Sequence, residues 1–585
     1  MLKPLLAALL SVRWRPQSAR ELATAIPAAQ AAGDHETAIR LCRRLLSRRG
    51  DDPQAWAWLA FSQAMRQDYA GSTASFRELA RLAPDSRMAH ANLANLALID
   101  MRLAEAESHY RTALACPPQA GDPFPDAVLN TSLGFVLLRQ GQAGQAIGHL
   151  RQALAEQPAN QEAATHLLYA LQHAPGESAQ AIHAAALAYA RIHEQPLLQA
   201  RPAHGNLPDP QRRLRIGYVS GDFAQHAVAN FIEPVLAHHD RLCCEIWCYS
   251  NRTQEDAQTV LLRGLADHWH DIAPLDDDAV ARQIAMDGVD ILVDLSGHTH
   301  GHRLGVFARK PAPLQVTWLG YPTTTGLQSI DYRITDAIAD PPGEADACHS
   351  EKLLRLPRSQ WCYRPHPQAP AVSPLPALAS GGIMFGSFNR LAKLNDGLLA
   401  LWGRLLADEP AFALTIATLM DEGNVARVHA TLRAHGAREG QVRVLGDLDD
   451  TRFRNIRSGI DIALDSHPYN GTTTTCEALW AGLPVVTLAG GHGAARNSAS
   501  LLHAIGLPHL VADNEEDYLR IARELAQDLP ALAALRAGLR ERMLGHGLCD
   551  GPRFTRELEA AYRGIWQDWC EPAHRRNGLV TTAGS

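Results

Sequence analysis

Asp465-Ser-His-Pro-Tyr-Asn-Gly-Thr-Thr-Thr-Thr-Cys-Glu477, continued by Ala-Leu-Trp-Ala-Gly-Leu-Pro-Val-Val-Thr487, sets the pattern for the second half of the chain. The apolar run 460–464 reads as a buried strand. Pro468 and Gly471 break it, and a helical segment begins among Thr472, Thr473, Thr474 and Thr475. The run 485–488 then reads as a second strand. Strand, turn, helix and strand make the unit of a parallel sheet. Four hydroxyls and several free backbone N–H groups are expected together at that helix start. Its unpaired donors and partial positive charge suit a phosphate or diphosphate. Thr is also an ordinary capping residue, which accounts for the run equally well. Glu477, four residues after Thr473, faces the same way. A carboxylate there suits two vicinal hydroxyls of a ribose.

The same alternation extends upstream. Runs 383–387, 412–417, 442–445, 460–464 and 485–488 form one set of strands, and 214–220, 244–250, 290–295 and 314–319 another. Each set, with helical stretches between its strands, predicts a doubly wound sheet covered on both faces. Two Pro-rich stretches, 196–212 (LLQARPAHGNLPDPQRR) and 365–382 (PHPQAPAVSPLPALASGG), read as linkers. The expected lobes are 213–370 and 380–570. Two such lobes in tandem leave a cleft between the C-terminal ends of their strands, where ligands bind.

Ahead of the first linker the text repeats. Units 53–86 and 87–120 end alike, with Pro84 and Pro118 separated by 34 residues, the tetratricopeptide period. Ala60 and Ala94 recur at one place and Phe76 and Tyr110 at another. The small residue lets two helices approach, and the aromatic fills the space between them. A third unit, 127–160, is offset by an insert at 121–125 and keeps Gly134, Ala146, Ala153 and Pro158 in phase. Degenerate units at 19–52 and 161–195 complete a repeat domain spanning 19–195. Such units stack into a superhelix whose concave face takes a peptide or protein.

Bulk properties narrow the function. At 585 residues the chain exceeds one domain. Its 46% hydrophobic and 20% charged residues are those of a globular protein. A net charge of −7 and a pI near 6.4 leave no basic footprint for nucleic acid. The ten cysteines show no metal-ligand spacing and suit free thiols in a reducing compartment. Residues 1–10 do not read as a signal peptide, and no run is long enough to cross a membrane. A cytoplasmic protein without a membrane partner is expected.

Chemistry-bearing residues cluster after the strands. The run 214–220 leads into Gly-Asp-Phe-Ala-Gln-His226, which puts a histidine at the mouth of the cleft with a pKa suited to acid–base work. A surface histidine explains that position about as well. Ser296-Gly-His-Thr-His-Gly-His302 alternates histidines but brings no carboxylates, so His298 and Thr299 read as a hydrogen-bonding substrate loop rather than metal ligands. In Trp318-Leu-Gly-Tyr-Pro-Thr-Thr-Thr-Gly326, Leu319 and Gly320 lie where backbone approaches a ligand closely. Phe385-Gly-Ser-Phe-Asn-Arg-Leu-Ala-Lys393 sets Asn389, Arg390 and Lys393 beyond a strand, with the lysine suited to a diphosphate. Gly490-Gly-His-Gly-Ala-Ala-Arg496 is a Gly-rich turn of phosphate-binding type without a full fingerprint. Together these residues fit transfer of a group from a nucleotide diphosphate.

At this point the chain resembles a known family. GYVSGDFAQH (217–226), DILVDLSGHT (290–299), PAPLQVTWLGYPTTTGL (311–327), DYRITDAIADPP (331–342), FGSFNRLAK (385–393) and the stretch 465–490 resemble the O-GlcNAc transferases, which include the plant SPINDLY proteins. The resemblance implies an α plus α/β protein. A tetratricopeptide superhelix precedes a GT-B glycosyltransferase of two Rossmann-like lobes. It implies an inverting, metal-independent enzyme with no cofactor. That enzyme moves GlcNAc from UDP-GlcNAc to Ser or Thr hydroxyls of proteins recruited by the repeats.

By the same resemblance Lys393 contacts the donor diphosphate with Thr473 and Thr474, and His226 is the cleft histidine. Thr472 stands where animal enzymes carry His, and Glu477 where they carry a ribose-binding Asp. Arg390 replaces a Gln, and Phe453 replaces a His that contacts uracil. The blocks TTTTCE and GHT are nearer to SPINDLY, which implies a second donor, GDP-fucose. A repeat-based binding protein whose transferase lobes lack turnover is the other alternative.

Overall fold

A computed structural model describes residues 18–118, 123–446 and 448–571. Residues 1–10 and the start of the insert, 121–122, lie outside these.

Among the described residues, ten helices between Ala19 and His193 carry the repeats. Their starts are written in the sequence. Asp34, Asp52, Asp68 and Ser86 each accept the N–H of the third residue onward, and Pro53 fills a first-turn position whose N–H has no helical partner. A residue of positive φ turns the chain between paired helices at Gly33, Gln67, Met101 and Gly141. The first three keep the repeat period, and the fourth is displaced by the insert. Ala60 and Ala94 are fully buried, and Phe76 and Tyr110 are nearly so. Ala60 and Phe76 share one apolar cluster with Ala57, Leu79, Ala89, Leu93 and Leu96, as the periodicity predicts.

Residues through Val136 form one compact unit, and residues from Leu137 form a second. Among its described residues the second unit contains two sheets. In the first, β1 (Leu214–Ser220), β2 (Cys244–Ser250), β3 (His268–Asp271), β4 (Ile291–Asp294), β5 (Leu314–Thr317), β6 (Tyr332–Thr335) and β7 (Lys352–Arg355) lie in the order β3-β2-β1-β4-β5-β6-β7. In the second, β8 (Ile383–Ser387), β9 (Phe412–Ala417), β10 (Val442–Leu445), β11 (Ile462–Leu464), β12 (Val485–Leu488) and β13 (Val511–Ala512) lie in the order β10-β9-β8-β11-β12-β13. All the ladders are parallel. Both sheets reverse direction once, between β1 and β4 and between β8 and β11. A doubly wound sheet opens its ligand crevice at such a reversal.

Four strands escape the sequence reading. β3 is His-Trp-His-Asp, β7 begins and ends on charges, β13 has two residues, and β6 buries Arg333. None shows more than two consecutive β-branched residues. β11 starts at Ile462 rather than at 460. Asp461 is a fixed point before it, accepting the N–H groups of Ala377 and Met384. β5 ends at Thr317, two residues short of the expected 319, because Leu319 takes φ 63° and turns the chain.

The expected lobe boundary at 570 needs correction. The helix Gly551–Cys570 packs on the first sheet, not the second. Glu559 accepts from His239, Trp566 donates to Asp209 O, and Phe554 stacks on Trp318. Its buried face, Phe554, Leu558, Tyr562, Ile565 and Trp566, finds its apolar partner there. The last repeat helices also pack on the first sheet, in a separate cluster. Ala164, Leu168, Ala186 and Tyr189 belong to one cluster with Val219, Leu292 and Phe307.

Candidate active site

The reversal between β8 and β11 gathers the donor-side residues. Asp465, directly after β11, is buried and fixes three neighbours. One carboxylate oxygen accepts the N–H of Gly471 at 2.8 Å and the Asn389 amide at 3.3 Å, and the other accepts the Thr487 hydroxyl at 2.7 Å. Asn389 in turn accepts the Thr474 hydroxyl at 3.0 Å. Gly471 is required here, because a Cβ would lie 2.5 Å from the Thr475 hydroxyl and 2.6 Å from that of Thr474. The helix Thr473–Trp480 follows, and Thr472 at its N-cap makes no side-chain capping bond. Its first-turn N–H groups are therefore not capped from that residue.

The expected set of four hydroxyls is reduced. Thr475 is buried and paired with Ser498 at 2.8 Å, so it faces the core. Thr472 and Thr473 remain half-buried at the helix start.

Lys393 sits on a short turn after β8. Its ammonium donates to Asn470 O at 2.6 Å and lies 4.5 Å from the centroid of the Tyr469 ring. Loss of hydration pulls its pKa down to about 8, against the pull of Asp465 and with Arg390 adding to the drop. The chain has 55 Lys and Arg residues but only four lysines, at 3, 310, 352 and 393. The site uses a compact point charge in a protein that otherwise uses guanidinium groups.

Glu477 has a partner that the sequence did not reveal. Arg457 donates to its Oε2 at 2.5 Å and also to Phe453 O. The guanidinium lies 4.7 Å from the centroids of both Phe388 and Phe453. Glu477 is thus an ion-pair partner of a buried arginine, and Phe453 is one wall of an aromatic slot around that arginine. The available signal was the spacing Phe453-Arg-Asn-Ile-Arg457, which puts ring and guanidinium on one helical face.

On the opposite lobe His226 follows β1 and is half-buried. Its Nδ1 accepts the N–H of Val228 at 3.3 Å. The neutral ring therefore carries its proton on Nε2. Asp222 Oδ1 lies 3.6 Å from Nδ1, too far for a hydrogen bond. Burial lowers the His226 pKa, Asp222 opposes the change, and Arg390 adds to it. Burial likewise raises that of Asp222, with His226, Arg252 and Arg390 opposing. Arg390 of one lobe thus acts on Asp222 and His226 of the other and on Lys393 of its own. Asp222 stands four residues before His226, and that spacing was the signal for the pair.

Other expected site residues are placed differently. His298 does not face an open cleft. It is buried, its Nε2 donates to Thr325 O at 2.8 Å, and its ring meets Tyr189 and Tyr321 edge-on. Thr299 donates to Ser296 O. Gly320 answers to packing: a Cβ would lie 2.1 Å from Leu295 O, and its N–H is bonded to Trp318 O. Leu319 is buried beside it. Asp294, unassigned by the sequence, orders this loop by accepting from Ser296, Gly297 and Thr317, and burial pushes its pKa up to about 6.

The Gly490–Arg496 turn is a bridge between lobes. A Cβ on Gly493 would lie 2.3 Å from Pro322 O, and Arg496 donates to Ile338 O at 2.7 Å. Among the described residues, His239, Cys244 and Glu559 are grouped with metal-like spacing. Both nitrogens of His239 are already engaged, by Glu559 at 2.8 Å and by Tyr218 at 2.9 Å.

Comparison with known proteins places this architecture. The profile described as glycosyl transferase family 41 matches residues 158–365 and 374–558. Over 387 residues the chain is 43% identical to an Arabidopsis thaliana protein named probable UDP-N-acetylglucosamine–peptide N-acetylglucosaminyltransferase SPINDLY, covering 64% of this chain and 42% of that one. It is 33% identical over 378 residues to the Arabidopsis protein of the same description named SEC, covering 62% of this chain and 38% of that one. The chain spans about two fifths of the length of these relatives. Among solved structures, a mutant of the Thermobaculum terrenum O-GlcNAc transferase matches with a TM-score of 0.79 and 38% identity, over 89% of this chain and 98% of that one. With helical repeats ahead of two Rossmann-type lobes in a GT-B arrangement, and with the family profile matched across both lobes, the chain belongs to glycosyl transferase family 41.

Proposed function

We propose that this chain is a protein glycosyltransferase that moves N-acetylglucosamine from UDP-GlcNAc to serine and threonine hydroxyls, with inversion at the anomeric carbon and without a metal ion. The observation that carries the reading is the convergence at one strand reversal of Lys393, the start of the helix Thr473–Trp480, which Thr472 does not cap, and Glu477, with Arg390 beside Lys393 acting on His226 of the other lobe. Negative charge grows on the diphosphate as it leaves. A preorganised ammonium and helix N–H groups stabilise that charge in the role a divalent cation plays elsewhere. Glu477, oriented by Arg457, reads the ribose. His226, with its proton on Nε2, donates a hydrogen bond that aligns donor sugar and acceptor. The helical repeats recruit the protein acceptors. Ten cysteines that form no disulfide fit an enzyme of the cytoplasm, and no helix among the described residues is long and apolar enough to cross a membrane.

GDP-fucose is the second donor to test, because Thr472-Thr-Thr-Thr-Cys-Glu477 and Gly297-His-Thr299 resemble the SPINDLY branch. Calorimetric titration with UDP and with GDP decides between them. Tighter binding of UDP, unchanged by EDTA, is expected. Preference for GDP replaces the donor, and binding that requires a divalent cation removes the metal-independent reading.

Glu477→Ala is expected to weaken UDP binding by about 1–3 kcal/mol, the range for hydrogen bonds to a charged group. The loss should shrink for 2′,3′-dideoxy-UDP. Equal losses for both nucleotides would assign Glu477 to holding Arg457 alone.

A further inference from the structure

The helix Gln161–His173 belongs to the repeats, yet its last turn reaches the donor-side loop of the second lobe. The His173 ring stacks on Tyr469 with centroids 4.3 Å apart and an interplanar angle of 25°. Tyr169 lies 5.7 Å from the same ring and 4.4 Å from His173. His173 is 2% exposed, and its Nδ1 donates to Tyr169 O at 2.8 Å, which fixes its orientation. Tyr469 therefore has one ring face against the repeat helix and carries the Lys393 ammonium at 4.5 Å. The next residue, Asn470, supplies the carbonyl that the same ammonium bonds at 2.6 Å.

The seam is fixed on both sides. Gly141, in the turn after the helix Asp126–Arg139, lies so near Leu394 that a Cβ would meet its carbonyl at 2.5 Å. Gln140 accepts from Asn424 at 2.9 Å and from Arg427 at 2.6 Å. A stack of two flat rings, one on each element, transmits displacement because neither ring has room to yield. A lysine on a flexible four-carbon stem needs such a support to hold one position.

We propose that Tyr169 and His173 are positioning residues of the transferase site: they hold the Tyr469 ring, and the ring with Asn470 O holds the Lys393 ammonium in place. The repeat helix is then a working part of the donor site as well as a docking element. This inference rests on reading Lys393 as the diphosphate ligand, and its test is chosen to judge the two separately.

The test follows Lys393 directly. Protein labelled with 13C at lysine Cε gives few signals, since the chain has four lysines. The signal missing from Lys393→Ala identifies the residue. In the wild type it should titrate near pH 8, because the rings exclude water. The charged groups acting on it are Asp465 and Arg390 from its own lobe, and it acts in turn on His173 beside His492. In His173→Ala and in Tyr469→Leu the midpoint should rise by about one pH unit toward the ordinary lysine value. The turnover number should fall about 10- to 100-fold, as expected for a misplaced catalytic group, with little change in the KM for acceptor. His173→Phe keeps a stackable ring and should restore both the midpoint and the rate.

The clamp is overturned if His173→Ala and Tyr469→Leu leave the Lys393 midpoint at its wild-type value, whatever their activity. It is also overturned if His173→Phe behaves like His173→Ala. Should His173→Ala fail to fold, Tyr469→Leu and His173→Phe decide the same question. If Lys393→Ala turns over normally, the diphosphate reading fails, while the titration still reports whether the rings hold the lysine.

Discussion

Lys393→Ala should retain its fold and lose about 10²–10³-fold in turnover, the usual consequence of removing one preorganised charge from a developing anion. The fold should survive because the side chain makes one hydrogen bond, to Asn470 O, and one ring contact. The lost charge has no substitute of the same geometry. Arg390 is exposed and acts on the other lobe as well. The wild-type profile of kcat/KM against pH carries a second signature. The ammonium is the active form, and burial holds its pKa at about 8. Activity is therefore full below that value and falls as pH rises through it, so an alkaline limb near pH 8 is expected. Circular dichroism with steady-state rates checks the substitution. Wild-type turnover by a folded Lys393→Ala protein would remove the residue from the mechanism.

His226→Ala should reduce transfer by about 10²-fold, the scale of a lost alignment in the cleft, while UDP binding changes little. The reason lies in the tautomer. Val228 N–H occupies Nδ1, so Nε2 bears the proton and serves as a donor. A group already protonated at the nitrogen that Val228 does not occupy is poorly placed to accept the hydroxyl proton. His226→Gln, which offers an amide N–H, should therefore recover part of the activity. Wild type and His226→Gln should share one acid limb, because no proton is taken up by residue 226 during the reaction. Loss of that limb in His226→Gln alone would make the histidine a base and overturn the donor assignment.

The parts legible in the sequence are those with a local cause. β1, β2, β8, β9, β10 and β12 coincide with apolar runs whose period and bounds are plain. The repeat phase is equally plain, because Ala60 with Phe76 and Ala94 with Tyr110 must recur for paired helices to close. β3 is not legible, since His268-Trp-His-Asp271 is an edge strand without an apolar face. The helix Gly551–Cys570 has a clear apolar stripe, but a stripe does not name its partner, and the partner is the first sheet.

The site follows the same division. Lys393, Asn389 and the Thr472–Glu477 segment stand directly after strands, where a doubly wound sheet places ligands. Arg457 and Asp222 left only a four-residue spacing, to Phe453 and to His226, while the ring pair His173–Tyr469 joins distant segments and leaves no spacing to read. Gly320 and the Gly490–Arg496 turn invited a ligand reading because glycine permits close approach. The approach is by the protein's own backbone, at Leu295 and Pro322.

Transfer of a sugar from a nucleotide donor through Lys393 is the central claim for this cleft. Its most direct test is mass spectrometry of a Ser/Thr-rich acceptor protein incubated with UDP-GlcNAc and EDTA, with wild type and Lys393→Ala run side by side and released UDP measured in parallel. The expected result is N-acetylhexosamine on hydroxyl residues and matching UDP release with the wild type, and both reduced about 10²–10³-fold with Lys393→Ala. Equal modification by both proteins would contradict the claim, as would absence of sugar transfer and of nucleotide release by the wild type with UDP-GlcNAc and with GDP-fucose alike.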